Sequence, residues 1–212
     1  MNKPVIAAFD FDGTLSEGVS GLRFFRQLLG PARYSGWFWV RHLPSLAGYG
    51  LRWRHEACLD RINRAIFTGR RATDVEREAL AYLERTLPRH LIPEAMARLH
   101  WHRGQGHRCI LVSRGYDLYL RPWARALGIV DVLATRLAVG PDGRLTGGMP
   151  EPSCDGAEKR KRLLSMIGDK NACELHAYGD GPGDYAMLAV ADHAWVRGPR
   201  GFAPWRGEGR PA

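Results

Sequence analysis

The sequence predicts an α/β fold, a mostly parallel sheet between two layers of helices, with a wholly helical unit inserted near its start. Three observations carry this. Val5 to Phe9 is an apolar run short enough for a buried strand. Comparable runs recur only from Cys109 onward, each separated from the next by a segment of helical spacing. Between them, from about Ser16 to Pro88, the periodicity is helical and no buried strand is evident.

The first strand leads into Asp10 and Asp12, which point the same way because side chains alternate along an extended chain. Open α/β sheets bind ligands at strand C-terminal ends, so this acid-x-acid pair before Gly13 and Thr14 is the first candidate site. Helices in the insert follow from the spacing of Leu22, Phe25, Leu28 and Leu29, then Leu59, Ile62, Ala65 and Ile66, then Leu80, Leu83 and Leu87. The predicted organisation is a core of residues 1–15 and 89–212 with residues 16–88 as a helical cap. The sheet should resume at 109–113, and a helix at about 116–127 with a strand at 130–134 makes a βαβ unit. Leu137 to Leu145, with Pro141, Asp142 and Gly143 at its centre, reads as a hairpin. A helix at about 156–167, a strand at 175–179, a helix near 185–191 and a strand at 193–196 complete the expected elements. From Arg197 to Ala212 the chain is rich in Gly, Pro and Arg without apolar periodicity, and is expected to be loosely held.

Composition is that of a globular protein, with 45% hydrophobic and 25% charged residues in 212. Cys58, Cys109, Cys154 and Cys173 are scattered, suggesting neither a disulfide framework nor a zinc site, and a reducing compartment. The run after Met1-Asn2-Lys3-Pro4 is too short for a secretory signal, so a cytoplasmic location is expected. A formal net charge of +9 favours anionic partners or reflects an arginine-rich composition; the basic residues are dispersed, and no nucleic-acid partner is expected.

Asp10 and Asp12 suit phosphoryl transfer. One carboxylate can attack phosphorus covalently while the other protonates the leaving oxygen and later takes a proton from water. Three further segments supply the remaining residue types: Val112-Ser113-Arg114-Gly115 at a strand end, Asp155-Gly156-Ala157-Glu158-Lys159 at a helix start, and Gly179-Asp180-Gly181-Pro182-Gly183-Asp184 after a strand. Crowded carboxylates would repel a phosphate, so a hard divalent cation, magnesium, is expected beside a fixed lysine charge. Lys159 is preferred for that charge over Lys161 in the same basic run. Glycines at 13, 115, 181 and 183 let backbone amides approach the phosphate.

In this order, the four segments resemble the four motifs of the haloacid dehalogenase-like hydrolase superfamily, from Val5 to about Val196. The resemblance implies a Rossmann-like three-layer sandwich and assigns roles by position. Asp10 would be the nucleophile, Asp12 the general acid and base, Ser113 a hydrogen-bond donor to the phosphoryl group, and Lys159 the charge that offsets both. Magnesium would be bound by Asp10, the backbone carbonyl of Asp12 and Asp180, with Asp184 orienting metal-bound water. Thr14, Arg114 and Gly115 are the implied substrate contacts.

A helical insert after the first motif is similar to the branch that includes phosphoserine phosphatase, and Ser113-Arg114-Gly115-Tyr116-Asp117 resembles its second motif. Phosphoserine phosphatases carry a glutamate nine residues after the nucleophile to meet the substrate's amino group; this chain has Val19, with Glu17 offset by two positions. The chain also resembles the phosphatidylglycerophosphatase C type in its basic, aromatic cap, in Cys154 to Lys159, and in the basic run Val196 to Gly201. The cap stretch Tyr34 to Leu51 contains Arg41, His42 and Pro44 and falls short of a membrane span. Trp37, Phe38, Trp39 and Tyr49 among Arg33, Arg41, Arg52 and Arg54 have the makeup of an interfacial anchor on anionic lipid, and equally suit cap–core packing or a dimer contact.

The expected activity is magnesium-dependent phosphomonoester hydrolysis through an aspartyl-phosphate, on a small phosphorylated metabolite or a lipid phosphate. The lipid reading adds peripheral contact with an anionic membrane at its inner face. Arg23, Arg26, Arg114 and Arg121 are candidates for the non-transferred part of the substrate, Arg114 foremost. A phosphotransferase is the rival within enzymes. A phospho-accepting signalling module is the rival outside them, and lacks a second acid equivalent to Asp12.

Overall fold

The computed structural model describes residues 3–34 and 55–207. The aromatic and basic stretch considered as an interfacial anchor falls mainly at 35–54, outside the described residues.

Six strands form one sheet in the order β3-β2-β1-β4-β5-β6. They are β1 (Val5–Phe9), β2 (Arg108–Tyr116), β3 (Asp131–Thr135), β4 (Glu174–Gly179), β5 (His193–Gly198) and β6 (Gly201–Pro204). The first five are parallel and β6 is antiparallel to β5. β1 is apolar throughout because both its faces are covered: Ile6 and Ala8 join one core cluster, Ala7 and Phe9 the other. From β1 the chain runs outward to β2 and β3, then crosses back to the other side of β1 for β4 and β5. The crevice at such a reversal opens beyond the strands' C-terminal ends.

The stretch read from the sequence as an insert holds α1 (Ser20–Leu29), the short α2 (Pro31–Arg33), α3 (His55–Phe67) and α4 (Ala72–Arg85). One sheet face is covered by α5 (Pro93–Gly104) and α6 (Asp117–Ala126), through Leu99, Leu120 and Trp123. The other is covered by α7 (Ala157–Ile167) and α8 (Tyr185–Leu188), through Leu163, Met187 and Leu188. Rings join insert to core: Tyr119 of α6 lies 5.3 Å from Phe24 and 5.5 Å from Tyr82, and Tyr116 lies 5.4 Å from Phe67. None of the described helices is long and apolar enough to cross a membrane.

Two elements, β2 and the tail, differ in extent from the sequence expectation, and α5 falls where no helix was expected. β2 continues past Ser113 to Tyr116, with a register shift between Val112 and Tyr116 that re-aims side chains beside the crevice. The expected hairpin at 137–145 is present: Gly140 N–H donates to Arg144 O at 2.7 Å, Thr146 N–H to Ala138 O at 2.9 Å, and Val139 bridges to Leu145, while the return arm also pairs with the segment before α4, Leu145 N–H donating to Arg70 O at 2.8 Å and Leu145 O accepting from Gly69 N–H at 2.9 Å. The supposedly loose tail is ordered as far as residue 207. β6 pairs with β5, Phe202 packs on Tyr178 at 5.1 Å and Trp205 on Tyr185 at 5.6 Å, so two aromatics supply what the missing periodicity did not.

His102 of α5 is fully buried, its Nδ1 2.8 Å from His107 Nδ1 and its Nε2 2.8 Å from the Tyr178 hydroxyl. Burial, then the neighbouring His176, pushes its pKa down to about 3. The folded state therefore refuses a proton that the unfolded chain takes up near 6.5, and stability falls as pH drops from there toward 3. Denaturant unfolding should show a loss of roughly 1.5 kcal/mol between pH 6.5 and 5 from this residue, absent in His102→Gln.

Candidate active site

Asp10 continues the pairing of β1 with β4, its N–H donating to Tyr178 O at 2.9 Å, and its carboxylate emerges in the crevice between these strands. Thr14 Oγ1 donates to Asp10 Oδ2 at 3.1 Å from behind. Lys159, at the start of α7 and 2% exposed, bridges two carboxylates: its Nζ lies 2.5 Å from Asp10 Oδ1 and 2.6 Å from Asp184 Oδ1. Lys161 instead faces Glu158 at 3.6 Å on the surface. Asp184 accepts from the backbone N–H groups of Asp180 and Gly181 at 3.0 and 3.2 Å, which fixes the loop after β4. Carboxylate oxygens of Asp10, Asp180 and Asp184 lie within 4.8 Å of one another.

This concentration of charge shifts the groups. Burial, then Asp184, raises Asp10 well above the usual carboxylate range despite Lys159. Burial, then Asp184, pushes Asp180 up to about 6. For Lys159, burial opposes the charge, but Asp10 and Asp184 more than offset it and hold the ammonium protonated. Three carboxylates against one ammonium leave the cluster negative, an all-oxygen donor set that fits a hard divalent cation such as magnesium.

Asp12 sits apart from that cluster. Its Oδ1 accepts from Ser20 N–H at 2.9 Å, at the N-terminus of α1, and Ser20 Oγ lies 2.8 Å from the Tyr119 hydroxyl. Burial raises its pKa, and the Ser20 hydrogen bond partly opposes the rise. Ser113 is buried, its Oγ accepting from Gly115 N–H at 3.0 Å. A Cβ on Gly115 would meet the ends of the Leu120 and Tyr119 side chains at 2.9 and 3.0 Å, so a larger residue there would have to displace them.

These residues surround a cleft of about 620 Å³ lined by Asp10, Asp12, Ser113, Arg114, Gly115, Lys159, Asp180 and Asp184, with Thr14 behind Asp10. Across from the carboxylates, the insert contributes Val19, Leu22, Phe25, Leu59 and Ile62. Of the four arginines considered for substrate contact, Arg114 lines the cleft, 3.5 Å from Asp155. Arg23 donates to Glu17 O and Arg121 lies by Asp117 and Val132 O; neither they nor Arg26 line it. The sequence assigned no role to Ser20, to Asp155 within its third segment, or to Arg197, whose guanidinium donates to Gly13 O at 3.2 Å. The first two stand beside motif residues in sequence or space, whereas only the fold brings Arg197 to Gly13.

Gly13 has φ +85°, and a Cβ there would lie 2.1 Å from Asp180 Oδ2. Gly13→Ala should displace Asp180 and lower kcat/KM by about 10²-fold in a steady-state assay, with the protein still folded by circular dichroism.

A doubly wound sheet gathering these acids, a lysine and a serine at its switch point defines a hydrolase for phosphate esters. The chain belongs to the haloacid dehalogenase-like hydrolase family, whose model matches residues 7–189. It is 35% identical to Protein CicA of Caulobacter vibrioides over 201 residues, covering 94% of this chain and 89% of that protein. A crystal structure of a Bordetella pertussis protein with unknown function shares the fold at a TM-score of 0.77, 19% identity, 92% of this chain and 89% of that one. A substrate-bound phosphoserine phosphatase shares it at a TM-score of 0.65, 19% identity, 92% of this chain and 86% of that one.

Proposed function

We propose that the chain is a magnesium-dependent phosphomonoester hydrolase that works through an aspartyl-phosphate on Asp10, with residues 16–88 as the cap over the cleft. The observation that carries this is buried Lys159 bridging the buried carboxylates of Asp10 and Asp184 within one acidic cluster beyond the end of β1. Asp10 attacks phosphorus as the bond to the leaving oxygen breaks, and Asp12, held by the Ser20 N–H, gives that oxygen its proton. Water then attacks phosphorus, Asp12 takes its proton, and the bond to Asp10 breaks. Ser113 and Lys159 hold the phosphoryl oxygens, and Arg114 meets the rest of the substrate. Asp10, Asp180 and the Asp12 carbonyl would hold magnesium, with Asp184 beside them, and the ion would supply charge neutralisation at the phosphoryl group.

The insert's side of the cleft favours one kind of ester. Val19 replaces the carboxylate an amino group would need, and Leu22, Phe25, Leu59 and Ile62 offer apolar surface. An ester with an apolar leaving group, as in a lipid phosphate, fits better than phosphoserine. Phosphate release from amino-acid, sugar, nucleotide and lipid phosphates, with and without anionic liposomes, tests both parts. Release should need magnesium, stop with a chelator, and favour apolar esters over phosphoserine by at least about tenfold in kcat/KM. No release from any ester overturns the activity; a preference for phosphoserine overturns the substrate class.

A further inference from the structure

At the opposite end of the sheet from the cleft, β4 and β5 begin side by side, with His176 in register with His193. Alternation along β4 places Glu174 on the same face as His176. The three side chains converge: Glu174 Oε1 lies 3.3 Å from His176 Nε2 and 3.0 Å from His193 Nε2, and one ligand atom from each residue falls within 4.8 Å of the others. The two imidazoles stack with centroids 4.4 Å apart. We propose that Glu174, His176 and His193 form a binding site for a borderline divalent cation such as zinc, which clamps the starts of β4 and β5 and is separate from the acidic cluster at Asp10.

Donor chemistry separates the two sites. Asp10, Asp180 and Asp184 offer only oxygen, the preference of magnesium, whereas two imidazole nitrogens with one carboxylate suit zinc. Spacing agrees: zinc bonds of about 2.0–2.1 Å place tetrahedral ligand atoms roughly 3.3 Å apart, close to both separations from Glu174 Oε1. The Nδ1 of His176 is buried without a hydrogen-bond partner among the described residues, so protein atoms do not fully satisfy this ring. The adjacent His102 backs His176 with ring centroids 5.0 Å apart but has both nitrogens engaged, by His107 and Tyr178. With His193 and Glu174 side chains 48% and 43% exposed, an ion can reach the site from solvent and leave room for water as a fourth ligand. The scattered cysteines gave no sign of zinc, since these ligands meet only when β4 pairs with β5.

The test uses the full chain, stripped of metal by a chelator and returned to excess magnesium, with zinc titrated against a chromophoric competitor. Wild type should bind one zinc, and His193→Ala, an exposed position, should weaken it by at least about 100-fold. Glu174→Gln should weaken it too, whereas Asp180→Asn should leave it unchanged. Cobalt in place of zinc should give wild type a visible absorption band that His193→Ala lacks. Phosphate release by His193→Ala in magnesium should match wild type, so this site and the phosphatase reading fail separately. Absence of zinc binding in excess magnesium, or equal binding by wild type and both cluster variants, overturns the proposal.

Discussion

Asp10→Asn lowers turnover of a phosphomonoester by about 10⁴-fold or more while the protein stays folded. The amide keeps the carboxylate's shape and can still accept from Lys159 or Thr14, but it cannot attack phosphorus. Thermal stability is expected to hold or rise, because Asp10 is buried against Asp184 and near Asp180, and burial with that repulsion already disfavours its charge. Measuring kcat/KM and the melting temperature on one preparation separates the two effects. Near-normal turnover in a folded variant would assign the nucleophile elsewhere.

Lys159→Met has the second large effect, and it reaches stability as well as rate. Lys159 is the ammonium between Asp10 and Asp184, with all three side chains buried. Removing it leaves two buried carboxylates uncompensated, at a cost of about 3–5 kcal/mol, and kcat falls by about 10²–10³-fold as charge on the phosphoryl group goes unopposed. The pH dependence carries a definite sign. Without the lysine, Asp10 moves further above its unfolded-state pKa, so the folded form keeps a proton that the unfolded chain releases. The stability deficit relative to wild type is therefore largest near neutral pH and shrinks as the medium is acidified. Denaturant melts of both proteins at pH 7.5 and 5 check this; a deficit independent of pH would mean that packing, not charge, is lost.

What the sequence revealed was chemistry that is local in the chain. Asp10 and Asp12, Lys159, and Asp180 with Asp184 each follow a strand or open a helix, and Ser113 closes the apolar run within β2, so turn chemistry and strand patterning exposed them without knowledge of the fold. Of the two lysines in the basic run, Lys159 is buried and Lys161 lies at the surface. Features set by distant pairing stayed hidden. α5 went unread because its buried stripe of Ala95, Met96, Leu99 and His102 includes a histidine while Trp101 faces outward, which blurs the period. β6 depends on a tight return from Gly198 to Gly201 and on Phe202 meeting Tyr178, neither of which leaves a periodic trace. Ser20 is the instructive omission at the site: α1 looked like any helix start, yet its first N–H holds Asp12.

The central claim is that Asp10 carries the phosphoryl group during turnover. Rapid acid quench of wild type mixed with a radiolabelled phosphomonoester in magnesium, followed by peptide mapping, tests it directly. Label on the peptide containing Asp10, absent in Asp10→Asn, is the predicted result; label on another residue, or turnover with none trapped at any quench time, would contradict the account.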